Sequence, residues 1–177
     1  MVQKRQHLFE TNSSSTHTIV IANNSDDDFK NGLPKQLEFK PGQFGWELDR
    51  HQTVEERASY LFTAILCNSM CKEYIPIITE TLKKWDIEAV FPKIIKKHYA
   101  YTKTAYEAIK DDNGFYYVDH CGLLEDFIRK VCNDEVLLMN YLFSDESFIV
   151  TGNDNDDECV DDTTKAKNIL LDYYKGN

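Results

Sequence analysis

The sequence is poor in the two residues that build long flexible segments. It has 7 glycines and 4 prolines among 177 residues, which excludes collagen-like repeats and long unstructured linkers. Hydrophobic residues make up 42% of the chain and aromatic residues 12%, which is enough for a substantial core. We therefore expect a single folded domain over residues 1–177.

Long apolar runs are also missing. The longest, YLFTAILC at 60–67, is too short to cross a bilayer, and the N-terminal MVQKRQHLFE lacks the apolar stretch of a signal peptide. The 5 cysteines are an odd number. These features indicate a cytoplasmic protein whose cysteines are free thiols and which does not bind a membrane.

Positive charge is scarce, with 20 basic against 30 acidic residues and a net charge of −10. Such a charge opposes diffuse binding to a phosphate backbone, because repulsion acts over about 10 Å. The distribution is uneven: 145–162 carries eight acids and no base, whereas 83–103 carries six lysines. A local basic groove therefore stays open, and so does an acidic segment that imitates a phosphate backbone.

Hydrophobic periodicity predicts an α+β fold, a small and mostly antiparallel sheet with amphipathic helices packed on it. We expect strands over 16–22, 35–40 and 147–152, and helices over 53–68, 73–85, 122–131 and 135–143. Thr53 and Glu56 have the spacing of a capping box at the start of the first helix.

Three further segments have a predicted structure. Asn113-Gly114 favours a tight hairpin turn with a strand on each side, since both residues adopt positive φ readily. Residues 153–162 read as a solvated acidic loop, and 164–174 as a C-terminal helix.

The segment ETNSSSTHTIVI at 10–21 is the first candidate site. A serine hydroxyl becomes a nucleophile when a base accepts its proton, and imidazole is the usual base. On a strand, Ser15 and His17 would face the same side with Cα atoms about 6.5–7 Å apart. The alternative is a polar turn that precedes a strand, with His17 as a core residue.

Two other places carry candidate acid–base groups. Asp119 and His120 follow a Tyr-rich strand, and His120 with His17 would supply the acid and base of a ribonuclease-type cleavage. Alternatively, both residues simply end the strand. Glu47, beside the glycine-containing FGW element, would be a catalytic carboxylate or an exposed side chain.

Metal and cofactor motifs do not fit. Cys67 and Cys71 lack a second pair at zinc spacing. The acidic residues at 154, 156 and 158 lack the glycine and final glutamate of a calcium loop. We therefore expect no metal and no cofactor.

The stretch FPKIIKKHYAYTK at 91–103 combines positive charge with aromatic rings. Charge and stackable rings are typical of single-stranded nucleic-acid binding, and an amphipathic segment with solvated lysines is the alternative. The candidate binding residues are Lys93, Lys96, Lys97, Tyr99 and Tyr101.

The chain resembles a group of phage and prophage proteins from Gram-positive hosts. The resemblance rests on the Asn-Ser-Ser-Ser-x-His segment at 12–17, the Phe-Gly-Trp-Glu element at 44–47 and Asp119-His120. It implies a viral or mobile-element origin, action inside the bacterial host cell, and that the three polar spots belong to one site. Small acidic phage proteins include anti-CRISPR inhibitors.

Two functions follow as hypotheses. The first is a metal-independent ribonuclease acting in counter-defence, for instance on CRISPR guide RNA, with catalytic residues Ser15, His17, Glu47, Asp119 and His120. The second is a non-catalytic acidic inhibitor that binds a nucleic-acid-binding effector, such as a CRISPR nuclease, and blocks its substrate.

Overall fold

The structure is a computed structural model that describes residues 15–23, 29, 32–45, 47–97, 105–108, 116–153 and 169–175. Within these residues it contains ten strands and four α-helices, so the predicted α+β class is confirmed. No helix in this part of the chain is long and apolar enough to cross a membrane.

The strands follow the chain in short segments. Their bounds are β1 Ser15–Ala22, β2 Gln36–Glu38, β3 Gln43–Phe44, β4 Asp49–His51, β5 Glu88–Val90, β6 Ile94–Lys97, β7 Ala105–Ala108, β8 Tyr117–Val118, β9 Phe148–Asn153 and β10 Ile169–Lys175. The helices are α1 Val54–Cys67, α2 Cys71–Lys84, α3 Glu125–Asn133 and α4 Glu135–Phe143, and a 3-10 helix, Cys121–Leu124, precedes α3.

One four-stranded antiparallel sheet forms the centre of the fold, in the order β10-β1-β9-β4. Three two-stranded sheets accompany it: β2 with β5 and β3 with β8 are parallel, and β6 with β7 is antiparallel. The prediction of a mostly antiparallel sheet holds for the main sheet.

The two faces of β1 pack into different clusters, as the alternation of its side chains requires. Ile19 and Ile21 belong to the main core, between the sheet and the helices. Val20 packs on the opposite face with Phe148 and Val150 of β9. Since both faces are buried, β1 is a central strand, which explains its continuous run of apolar residues.

The capping box of α1 is present as predicted. Thr53 Oγ1 accepts a hydrogen bond from the Glu56 N–H at 3.2 Å, and Glu56 Oε2 accepts one from the Thr53 N–H at 2.9 Å. Burial acts to raise the pKa of Glu56, but the hydrogen bonds that its carboxylate accepts from Thr53 and Gln52 outweigh this effect and lower it. The cap fixes where α1 begins, three residues after β4 ends.

The predicted C-terminal helix over 164–174 is wrong, because Ile169–Lys175 is a strand paired antiparallel with β1. The helical spacing of apolar residues was outweighed by the backbone groups along the edge of β1, which need a strand partner. The acidic loop over 153–162 begins at the last residue of β9, and 154–162 lies outside the described residues.

The strands beside Asn113-Gly114 do not pair as the predicted hairpin within their described residues. β7 pairs with β6, whereas β8 pairs parallel with β3. Positions 109–115, including the turn itself, lie outside the described part of the chain.

Candidate functional site

The candidate site lies where three strands of the main sheet end. His17 of β1 is directly opposite Thr151 of β9, which is directly opposite Asp49 of β4. Opposite residues of antiparallel strands project on the same face, so the sheet brings an imidazole, a hydroxyl and a carboxylate together. Two further segments border this end of the sheet. One contains Glu47, whose carbonyl contacts Thr151, and the other is the turn at Asp119, whose carbonyl contacts His17.

His17 is held through both ring nitrogens. Its Nε2 lies 2.9 Å from the carbonyl oxygen of Asp119, and its Nδ1 lies 3.0 Å from the hydroxyl of Tyr60. A carbonyl only accepts hydrogen bonds, so Nε2 carries the hydrogen, and Nδ1 therefore accepts from Tyr60. The strand is tied in this way to both α1 and the turn after β8.

Burial keeps His17 neutral. The residue is 1% exposed, and this burial lowers its pKa to about 4, although the bond to Asp119 acts in the opposite direction. A neutral imidazole with both nitrogens engaged is suited to fixing the positions of its neighbours.

A row of aromatic rings connects His17 with a second histidine, His51 at the end of β4. The Tyr60 ring lies 5.9 Å from His17 and 5.0 Å from Phe44, measured between centroids, and Phe44 lies edge-on to His51 at 5.0 Å. Aromatic rings at such distances attract one another, so a continuous row of ring contacts links the two histidines.

A small cavity opens at the His51 end of this row. Its volume is about 140 Å³, and its lining residues are Gln43, Phe44, Gly45, Glu47, Asp49, His51, Tyr117 and Thr151. Since one water occupies about 30 Å³ of liquid, the cavity holds one small polar group and not a whole drug-sized ligand.

His51 has the most distinctive environment in this cavity. It is 7% exposed, and its Nε2 is buried without a hydrogen-bond partner among the described residues. Its Nδ1 lies 4.0 Å from a carboxylate oxygen of Asp49. A buried ring nitrogen without a partner is costly, so its presence in a residue that lines a cavity needs an explanation, and a role in binding a ligand is one.

Glu47 is the one predicted catalytic residue that lines the cavity. It is exposed, and its backbone carbonyl accepts a hydrogen bond from Thr151 Oγ1 at 3.1 Å, which fixes the segment to β9. The cavity therefore has two carboxylates and one imidazole on its walls, a set that can both take and give protons.

Asp119 and His120 lie in a turn after β8, which ends at Val118. The Asp119 carboxylate accepts from the His120 N–H at 3.0 Å, and His120 has a left-handed backbone with φ 50°. Asp119 thus reaches His17 through its backbone carbonyl and not through its carboxylate. This geometry agrees with the alternative in which Asp119 and His120 simply end the strand. Neither residue lines the cavity.

The structure describes the remaining predicted site residues only in part. Ser15 begins β1 opposite Asn153, and its side chain lies outside the described part. Lys93 is exposed, and Lys96 and Lys97 belong to β6, with their side chains not described. Tyr99 and Tyr101 also lie outside the described residues.

Phe91, the first ring of the lysine-aromatic stretch, is part of the protein interior. It stacks on Phe39 with 4.5 Å between centroids and lies 5.4 Å from Phe62. This ring is therefore used in packing, as the amphipathic alternative requires.

Sequence reasoning identified Glu47 and missed Asp49 and His51. The only available signal was the alternation in ELDRH, which places the acidic side chains at 47 and 49 and the imidazole at 51 on one side of an extended segment. Among the described residues, no group of three or more His, Cys, Asp or Glu side chains is arranged to hold a metal ion.

Comparison of the chain with protein-family models, with curated proteins and with solved structures finds no match.

Proposed function

We propose that the protein is a metal-independent ribonuclease of phage or prophage origin, which cleaves RNA of the bacterial host's defence, such as a CRISPR guide RNA. The observation that supports it best is a cavity whose lining includes both Glu47 and His51, the latter with a buried Nε2 that has no hydrogen-bond partner among the described residues. RNA cleavage needs one group that takes a proton and one that gives a proton, and these two side chains supply both.

In this mechanism the Glu47 carboxylate takes the proton from a ribose 2′-hydroxyl, and the oxygen attacks the adjacent phosphorus. The bond to the 5′-oxygen breaks, and the protonated His51 gives its Nε2 proton to that oxygen. The products are a 2′,3′-cyclic phosphate and a 5′-hydroxyl end. Asp49, with a carboxylate oxygen 4.0 Å from His51 Nδ1, is the acidic side chain beside this ring.

One residue on the rim of the cavity supports a nucleic acid as the ligand in this proposal. The Tyr117 side chain lines the cavity and is 37% exposed, so its ring offers a surface on which a base can stack. With room for one polar group, the cavity would take the phosphodiester while the flanking bases stay outside. Lys93 and the lysines of β6 would add positive charge along the strand.

His17 has a positioning role in this proposal, since its nitrogens bond to Tyr60 and Asp119. It fixes the turn after β8 relative to β1, and the aromatic row carries this order to His51. In this proposal Ser15, Asp119 and His120 lie near the cavity and take no direct part in the reaction.

The test is incubation of the purified protein with labelled single-stranded RNA, and with DNA of the same sequence, with and without a chelator. We expect cleavage of RNA alone, unaffected by chelator, with cyclic phosphate ends. Glu47→Gln and His51→Gln should each lower the rate by about 10²-fold or more, whereas His120→Gln, outside the cavity, should cleave at nearly the wild-type rate. Equal rates in all three variants, or no cleavage by the wild type, would overturn the proposal.

The charge distribution supports a second candidate, the acidic inhibitor of a nucleic-acid-binding effector. Eight acids without a base lie between positions 145 and 162, and Asp145 and Glu146 are exposed. Binding through such a segment should weaken steeply with salt and on replacing Asp154, Asp156, Asp157 and Glu158 by their amides. Binding of this variant that persists at high salt would rule out the inhibitor hypothesis.

A further inference from the structure

Cys67 and Cys121 lie in hydrogen-bond contact, although 54 positions separate them in the chain. Cys67 is the last residue of α1, and Cys121 is the first residue of the 3-10 helix that follows β8. Their thiol side chains are within hydrogen-bonding reach of each other. Both residues are half-buried free cysteines, so a small reagent can reach them.

The backbone holds the two cysteines together. Asn68 Nδ2 donates to the Cys121 carbonyl at 2.8 Å and to the Ala64 carbonyl at 3.0 Å. One side-chain amide thus fastens the end of α1 to the segment that carries Cys121. The contact between the sulfurs is therefore built into the fold and does not depend on the rotamers alone.

The strand β8 supplies a second donor to Cys67. The N–H groups of Tyr117 and Asp119 bond to the carbonyls of Gly42 and Phe44, so the N–H of Val118 points to the opposite edge of β8. There it bonds to the Cys67 sulfur. Two donors on one sulfur stabilise a negative charge.

These contacts distinguish Cys67 from the other described thiols. The bond from Cys121 lowers the pKa of Cys67 to about 7, although burial acts in the opposite direction. Burial raises the pKa of Cys71 to about 12 and also raises that of Cys132. Among the described cysteines, Cys67 is thus the one whose pKa is lowered, which favours the thiolate, the reactive form.

We propose that Cys67 and Cys121 form a reversible intramolecular disulfide, with Cys67 as the attacking thiolate, Cys121 as the resolving thiol and a low-molecular-weight disulfide as the oxidant. This modification site is independent of the proposed ribonuclease function.

The chemistry proceeds in two exchange steps. The Cys67 thiolate attacks one sulfur of the small disulfide, whose sulfur–sulfur bond breaks and releases one thiolate. The Cys121 sulfur then loses its proton and attacks the Cys67 sulfur of the mixed disulfide. The second small thiol leaves with that proton, so two protein thiols are oxidised and one small disulfide is reduced to two thiols.

Oxidation would restrain the wall of the candidate site. The turn between Val118 and Cys121 contains Asp119, whose carbonyl holds His17, and β8 contributes Tyr117 to the cavity. A covalent link from this turn to α1 removes freedom from both. The proposal therefore gives the fold a way to respond to the thiol–disulfide balance around it.

The experiment uses the full chain with Cys159→Ser, since position 159 lies outside the described residues. The protein is equilibrated with glutathione buffers of increasing oxidised fraction, quenched in acid and mapped by mass spectrometry without reduction. We expect one linked peptide pair, Cys67 with Cys121, which reappears as free thiols when reduced glutathione is added.

Variants separate the two roles. Cys121→Ser should accumulate a mixed disulfide on Cys67, whereas Cys67→Ser should lower the rate of glutathione incorporation by about tenfold or more. Cys71→Ser and Cys132→Ser, with buried thiols, should match the parent. In Cys121→Ala, which lacks the donor, the pH at which alkylation of Cys67 is half-maximal should rise above about 7.

Either of two results would overturn the proposal. One is that both thiols of the folded parent stay reduced at every glutathione ratio, and the other is that Cys67 pairs with Cys71 instead. Circular dichroism of each variant shows whether a changed result comes from the missing thiol or from a loss of the fold. The peptide map of the parent tests the disulfide without any substitution at Cys67 or Cys121.

Discussion

The hydroxyl of Tyr60 donates to Nδ1 of His17 at 3.0 Å, and this bond joins the central strand of the sheet to the first helix. The direction of the bond follows from the state of the ring: burial keeps the imidazole neutral, and Nδ1 accepts from the hydroxyl because it carries no proton. A histidine that the sequence presented as a candidate base is thereby a neutral link between α1, β1 and the turn after β8.

Acid should weaken the fold through His17. Its pKa is about 4 in the folded chain against an ordinary 6.5, so the unfolded chain binds the proton first as pH falls. This contribution to stability is complete above about pH 6.5 and decreases towards pH 4. We expect a loss of about 2 kcal/mol between pH 8 and pH 5 in urea unfolding.

The variant His17→Gln isolates the contribution of His17 to the pH dependence of the stability. It should be less stable than the wild type at pH 8, yet it should lose less stability on going to pH 5, since glutamine does not titrate. Parallel stability–pH curves for the two proteins would contradict the assignment of a buried neutral His17.

Gly42→Ala should destabilise the fold by about 1–3 kcal/mol. A Cβ at position 42 would lie 2.7 Å from the Phe44 ring and 2.8 Å from Ser59 Oγ, and Phe44 is buried against Tyr60 and His51. Gly122→Ala is the matched control, because a Cβ there meets nothing within 4 Å. Thermal unfolding should separate the two variants, and equal melting temperatures would speak against this packing.

Arg57→Met should cost about 3 kcal/mol. Arg57 is 1% exposed, donates to the Leu142 carbonyl at 2.7 Å and to the Ser147 carbonyl, and so compensates the negative end of α4. Arg129→Met is the control, since Arg129 is exposed and 3.8 Å from Glu73; it should cost less than about 1 kcal/mol. Urea midpoints measure both, and a comparable cost in the two would refute the role of Arg57.

Tyr117→Ala should raise the KM for RNA about tenfold if the ring stacks on a base, since stacking contributes about 1–3 kcal/mol. Tyr117→Phe keeps the ring and should retain the wild-type KM. Steady-state cleavage of a short labelled RNA tests this pair, and a rise in KM with phenylalanine as large as with alanine would point to the hydroxyl instead.

The elements that sequence reasoning located have signals within a few residues. The capping box of Thr53 and Glu56 marked the start of α1, because both partners lie in one helical turn. The apolar run of β1 identified a buried strand. The second helix begins at Cys71, two residues before its predicted start, and includes Pro76. Proline has no N–H to donate to the carbonyl of Lys72, four residues earlier. Because Lys72 is exposed, solvent can donate to that carbonyl instead.

The errors concern partners that lie far apart in sequence. Ile169–Lys175 has helical spacing but became a strand because β1 offered an unpaired edge. β8 left its expected hairpin partner for β3. Neither choice is visible locally, since a strand needs a second strand to complete its hydrogen bonds.

By itself, the sequence determined the α+β class, the places of the four α-helices of the described residues and the burial of the first strand, since propensity, capping and periodicity act over a few residues. Only the tertiary structure decided which polar groups meet: His17 with Tyr60, His51 with Asp49 and Glu47 around one cavity, and Cys67 with Cys121. The physical reason is that a side chain's chemistry depends on its burial and hydrogen-bond partners, and these come from segments that only the pairing of strands and the packing of helices bring together.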